Sequence, residues 1–182
     1  SFEYYLDNQK IITNCGFGHK ISNKAELLSR LTSAHTTIII NDTSVTKFER
    51  NRLINKVFGN SIKNTFKINK SDLFNDKSKI SAVSSHNGYE KKYGCTLKRE
   101  ISIDKNLSEI KGCDEIIKIK DGKPVNYNIR FHLYPGLNAV KTMSGNNVLI
   151  QISKNKSLIF QTSEDSILLE KSIFLGRNKI LD

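Results

Sequence analysis

From residue 80 onward the chain repeats one device. A short segment alternates apolar and polar residues, turn residues follow, and the next segment begins about ten residues later. Ile80-Ser81-Ala82-Val83-Ser84 alternates, and residues 95–103 carry Cys95, Leu97, Ile101 and Ile103 on one face, with Arg99 interrupting the set. Further segments fall at 115–120, 127–133, 138–142, 147–152, 157–162 and 167–171. Asp121-Gly122-Lys123-Pro124, Ser144-Gly145-Asn146-Asn147 and Lys154-Asn155-Lys156 supply turns between them. A period of two puts one row of side chains on each face of a strand, so one face can be buried and the other wet. Regular short strands of this kind predict a mainly β chain, an antiparallel β-sandwich. With no fixed-period repeat and no low-complexity linker, residues 1–182 read as a single β-sandwich domain.

The first third adds a short helix near the N-terminus. Residues 2–6 and 10–14 read as strands around Asp7-Asn8-Gln9. Asn23-Lys24-Ala25-Glu26 resembles a capping box and starts a helix over 24–31, with Ala25, Leu28 and Leu31 on one face. Cys15-Gly16-Phe17-Gly18-His19 has two glycines of a phosphate loop, but no Lys-Ser/Thr follows them. Residues 43–79 are the least regular, with a short helix near 50–58 and a strand near 65–68.

Ser33-Ala34-His35-Thr36-Thr37-Ile38-Ile39-Ile40-Asn41-Asp42 brings a histidine, hydroxyls, an apolar run and a carboxylate together. Five β-branched residues in a row, 36–40, favour a buried strand. His35 stands at its entrance, and Asn41-Asp42 begin the turn that leaves it. Thr36 and Thr37 need no chemical explanation there.

Twenty-nine Lys and Arg against eighteen Asp and Glu give a net charge of +11. That balance suits polyanions, or simply a lysine-rich solvated surface. The lysines are scattered, no basic amphipathic helix is visible, and aromatics are not interleaved for base stacking. Nucleic acid and membrane are therefore disfavoured as partners. Cys15, Cys95 and Cys113 form no CxxC pair and are expected as buried free thiols. No run is long enough for a membrane span and no signal peptide opens the chain. Ser1-Phe2-Glu3-Tyr4-Tyr5 reads as the interior of a longer protein.

His35, His86 and Asp42 could hold a zinc-type ion if strands bring them together. Their spacing obeys no short pattern, and the plainer reading of each histidine is a partly buried residue bonded to backbone. In Arg130-Phe131-His132-Leu133-Tyr134, alternation sets Arg130, His132 and Tyr134 on one face. That row faces ligand or solvent, and a structural role is favoured for His132. His19 is expected to be exposed and idle. Tyr89 and Tyr93 flank Glu90-Lys91-Lys92, where a nearby cation could lower a phenol's pKa. Arg99 could take a substrate carboxylate in bidentate fashion. For Tyr89, Tyr93 and Arg99 the plainer reading is a solvated face. No Ser/His/Asp elbow is present.

Several segments, in order, resemble the C-terminal part of heparinase II/III-like proteins. They are Asn14-Cys15-Gly16, Arg30-Leu31-Thr32-Ser33-Ala34-His35-Thr36-Thr37, Ser84-Ser85-His86-Asn87-Gly88-Tyr89, Leu97-Lys98-Arg99 and Ile129-Arg130-Phe131-His132-Leu133-Tyr134-Pro135-Gly136. The resemblance implies a β-sandwich that follows an N-terminal α/α toroid absent from this chain. It implies a polysaccharide lyase, in which a base removes the C5 proton of a uronic acid and the C4 oxygen leaves. His35 falls where relatives carry a cleft or zinc-binding histidine, and His86 is similar to a second metal ligand. Asp42 is the carboxylate candidate, with Asp72 or Asp76 as replacements. Arg99 and Tyr89 are the candidates for substrate contact. The resemblance further implies an acidic polysaccharide and the toroid as partners, and a periplasmic or secreted location. The main catalytic residues of the family lie in the toroid, so the isolated chain is expected to have little or no activity. Relatives continue beyond Arg177-Asn178-Lys179 for another strand or more. A non-catalytic module for acidic glycans is the alternative.

Overall fold

The computed structural model describes residues 1–143 and 145–176, together with the backbone of 179–181. It is mainly β, its sheets are antiparallel and its helices few, as the strand pattern predicts. Internal contacts divide the chain into two compact units, one of residues 1–37 with 129–182 and one of 38–128.

In the first unit, β1 (Tyr4–Leu6) turns into β2 (Gln9–Thr13) through Asp7 and Asn8. Both turn residues have positive φ, 49° and 63°. Asp and Asn tolerate that region, and two in a row match the twist of a tight hairpin. Helix α1 (Asn23–Ser29) starts one residue before the expected position, because the Ser22 hydroxyl accepts from Ala25 N at 3.1 Å and is the cap. A 3-10 turn, Thr32–Ala34, leads to His35. Later come β9 (His132–Leu133), β10 (Asn138–Lys141), β11 (Asn147–Ser153), β12 (Lys156–Gln161), β13 (Phe174–Gly176) and β14 (Lys179–Leu181). Their sheets are ordered β1-β2-β9, β10-β11-β12 and β13-β14. Cys15, Ala34 and Leu175 form a buried cluster with Ile21 and Ala25 packed on it. Backbone bonds tie the cluster together: Cys15 N donates to Ala34 O at 2.8 Å, and Leu175 N to Cys15 O at 2.6 Å.

In the second unit, β3 (Ile38–Ile40) is wholly buried and pairs with β8 (Tyr127–Ile129). Helix α2 (Arg52–Phe58) is capped by Asn51, whose side chain accepts from Leu53 N and Ile54 N. A meander follows: β4 (Ile68–Asn75), β5 (Lys79–His86), β6 (Cys95–Asp104) and β7 (Glu109–Lys118), paired in that order. Helix α3 (Glu90–Tyr93) sits between β5 and β6 and ends at Gly94, which is left-handed. Val45, Val83, Tyr89, Tyr93, Cys95 and Leu97 are buried with β3.

Four expectations are corrected. Residues 127–133 do not form one strand, because the backbone changes partners midway. Arg130 N donates to Thr37 O, and His132 N donates to the Thr36 hydroxyl. Residues 167–171 form no strand, and Leu168 and Leu169 are exposed there. Cys113 is exposed on β7, whereas Cys15 and Cys95 are buried, and all three are free. The strand expected at 65–68 begins only at Ile68. Ser144 of the expected turn, and Arg177 and Asn178, lie outside the described residues.

Candidate functional site

His35 follows the 3-10 turn, where its backbone N donates to Thr32 O at 3.1 Å. The ring is half-buried. Burial pushes its pKa below the ordinary histidine value, and nearby His132 adds to the effect. Desolvation penalises the cation, so the imidazole is neutral at pH 7. A neutral imidazole with open nitrogens can accept a proton, donate one or bind a ligand atom. Among the four histidines only His35 has neither ring nitrogen engaged by a protein group among the described residues. His19 Nδ1 meets Glu26 at 3.2 Å, and His86 Nδ1 accepts from Gly88 N at 3.1 Å. His132 has both ring nitrogens engaged.

His132 lies beside His35 in the same unit. Its Nε2 donates to Ser33 O at 3.0 Å, because a carbonyl can only accept. In the neutral ring Nδ1 then accepts, and the Ser172 hydroxyl lies 3.3 Å from it. Burial is the main cause of its lowered pKa, opposed by the bond to Ser33 and aided by Arg130. The ring is therefore fixed in one tautomer that bridges toward the turn preceding His35. Alternation set His132 on a candidate face, but its bond to Ser33, 99 residues away, has no sequence signal.

Thr36 has a role that its β-branched run concealed. Its side chain is fully buried, its hydroxyl donates to Thr13 O at 2.6 Å and accepts from His132 N at 3.0 Å. Its backbone N donates to Asn14 Oδ1 at 3.0 Å. Thr13, Asn14, Thr36 and His132 thus form one polar knot beneath His35, and a buried knot of satisfied groups holds its members rigidly.

The second unit holds Asp42, His86, Tyr89 and Tyr93. Asn41 and Asp42 have φ of 46° and 49°, and Thr43 N donates back to Ile40 O at 2.8 Å. This is a two-residue turn, and its conformation accounts for Asn-Asp at these positions. Tyr89 is 2% exposed. Its hydroxyl donates to Thr43 O at 2.8 Å and accepts from Ile40 N at 3.5 Å. A substrate contact would require the ring to leave the core.

Tyr93 has the more polar surroundings. Its hydroxyl is 2.8 Å from the Thr43 hydroxyl, which also accepts from Lys92 Nζ at 3.1 Å. Burial pushes the phenol up, but bonds with Lys92, Thr43 and Asn41 outweigh it, so its pKa is lowered.

Arg99 is engaged within its own sheet. Its Nε and Nη2 donate to Asp114 at 2.5 and 2.6 Å, a bidentate pair with both side chains largely buried. A substrate carboxylate would have to displace that of Asp114.

His86 is not arranged as a metal ligand. Because its Nδ1 accepts from Gly88 N, the neutral ring carries its proton on Nε2. Binding through Nε2 needs the opposite tautomer, with Nδ1–H donating to a second group. Among the described residues no three His, Cys, Asp or Glu side chains are grouped as a metal requires. Among the described residues no helix is long and apolar enough to cross a membrane.

No curated protein and no solved structure matches the chain significantly. The family described as heparinase II/III-like, C-terminal, matches residues 1–181. That span includes the His35 turn, the polar knot under it, the meander and every segment that carries the resemblance, and the chain belongs to the heparinase II/III-like C-terminal family.

Proposed function

We propose that this chain is the sandwich part of a polysaccharide lyase that cleaves uronate-containing polysaccharides by β-elimination. The observation that carries the reading is the family match over residues 1–181. In such a reaction a base takes the C5 proton, the electron pair forms the C4–C5 double bond, and the C4 oxygen departs with a proton. Negative charge develops on the uronate carboxylate, and groups that offset it lower the barrier. His35 is the residue of this chain best suited to take part. Its neutral, half-buried imidazole can accept a proton or donate a hydrogen bond to the substrate, and the knot below holds its turn in place. The principal catalytic residues belong to an N-terminal toroid, so the chain alone has little or no activity. Export to the periplasm or outside the cell is consistent with a polymeric substrate.

The test is an absorbance assay for the new double bond, with the full-length protein on a panel of glycuronans. Product formation that falls strongly in His35→Ala is expected. No product from any glycuronan counts against the reading. The structural zinc implied by the resemblance has its own check, which is metal analysis of the purified protein and of His35→Ala. Metal lost in the variant would support it.

A second reading, a non-catalytic binding module for acidic glycans, draws on the net charge of +11. It predicts heparin binding that weakens steeply with salt and is unchanged in His35→Ala.

A further inference from the structure

The four-stranded sheet ends on β7, and among the described residues no strand pairs with its outer edge. β7 is ten residues long and pairs with β6 without a bulge from Cys95↔Lys118 to Asp104↔Glu109. An edge of this kind presents a row of backbone donors and acceptors, a template for another strand. The opposite edge, β4, shifts register between Ile68 and Lys70 and offers a shorter straight run.

The side chains of β7 are self-complementary about its middle. If a second β7 lies antiparallel with Cys113 opposite Cys113, Lys111 faces Glu115 twice, once on each side of the axis. Ile110 then faces Ile116, and Gly112 faces Asp114. Centring the pairing on Gly112 would set Glu109 against Glu115 and Ile110 against Asp114. Centring it on Asp114 would set Cys113 against Glu115 and leave Lys111 facing Ile117. Opposite charges on facing residues stabilise a pair of strands and like charges oppose it. Of the three registers centred nearest the middle of β7, the one on Cys113 alone sets opposite charges face to face. Lys111, Gly112, Cys113 and Glu115 are all exposed. Among the described residues Lys111 and Glu115 pair within their own sheet, with Glu109 at 3.0 Å and Lys98 at 3.1 Å.

We infer that the outer edge of β7 is a self-association surface whose occupant is a second copy of this chain, paired antiparallel about Cys113. Such an isologous contact closes with two copies and joins the two sheets into one.

Light scattering on a sizing column tests it on the purified protein. The wild type should elute at twice the mass of the chain. Lys111→Glu and Glu115→Lys should each return it to the monomer mass, since each sets like charges face to face. The double variant Lys111→Glu/Glu115→Lys restores opposite charges and should restore the dimer. Diamide, as oxidant, should take two electrons and two protons from the paired Cys113 thiols and leave an intermolecular disulfide, lost in Cys113→Ser. Circular dichroism confirms that each variant folds. A monomeric wild type, a dimer that either single reversal leaves intact, or a double variant that stays monomeric overturns the inference.

Discussion

The Thr36 hydroxyl donates to the Thr13 carbonyl at 2.6 Å, and both residues are within 1% of full burial. The same oxygen accepts from His132 N, so one hydroxyl ties β2, the entrance to β3 and β9. Thr36→Val keeps the shape and removes the oxygen, taking a partner from the buried Thr13 carbonyl and from the part-buried His132 N–H. We expect a loss of about 1–3 kcal/mol by urea unfolding, and a smaller loss in Thr36→Ser.

Three histidines make stability depend on pH. Burial lowers the folded-state pKa of His35, His86 and His132 below the ordinary 6.5. Between each lowered value and 6.5 the unfolded chain binds more protons, so stability rises with pH in that window. It is fully present above 6.5 and falls as the solution is acidified below it. Thermal unfolding at pH 5 should therefore occur at lower temperature than at pH 7.5, and the difference should shrink in His132→Gln.

Gly16 has φ of +84°, and a Cβ there would lie 2.3 Å from Leu175 O. The clash is with backbone, across the bridge that joins Gly16 to Leu175. Gly16→Ala should destabilise the chain by about 3 kcal/mol or more, from strain together with the displaced backbone. Denaturant titration checks it, with Gly112→Ala as a control whose Cβ meets nothing within 4 Å.

Asp114 is the bidentate carboxylate of Arg99. Asp114→Ala removes its charge from a largely buried guanidinium, and the expected cost is about 2–3 kcal/mol. If, under the proposed lyase function, Arg99 serves a substrate in the full-length protein, Asp114→Ala would also change KM, which steady-state kinetics would separate from the stability loss.

The Tyr93 phenol should ionise at lower pH than an ordinary tyrosine, through its bonds with Lys92, Thr43 and Asn41. An ultraviolet pH titration should show one early phenolate that disappears in Tyr93→Phe and moves back up in Lys92→Met.

Much of the strand order was legible. The alternation in 95–103 and 147–152 became β6 and β11, and Asp7-Asn8 and Asn41-Asp42 became tight turns through their tolerance of positive φ. His35 was also legible, as a histidine at the entrance to an apolar run. What alternation could not show was the end of pairing. It predicted a strand at 167–171, where the backbone forms none, and one strand at 127–133, where the backbone changes partners at Arg130.

By itself, the sequence determined the period-two segments, the turns between them and the family, because these depend on residues near one another in the chain and on their order. Only the tertiary structure decided which polar groups were already spent. It gave the Thr36 hydroxyl to Thr13 and His132, Arg99 to Asp114 and the Tyr89 hydroxyl to Thr43, and among the described residues it left both nitrogens of His35 open. These partners lie between 15 and 96 residues apart. A hydrogen bond depends on atomic distance and direction, and across such separations both are set by the topology of the sheets rather than by any local pattern.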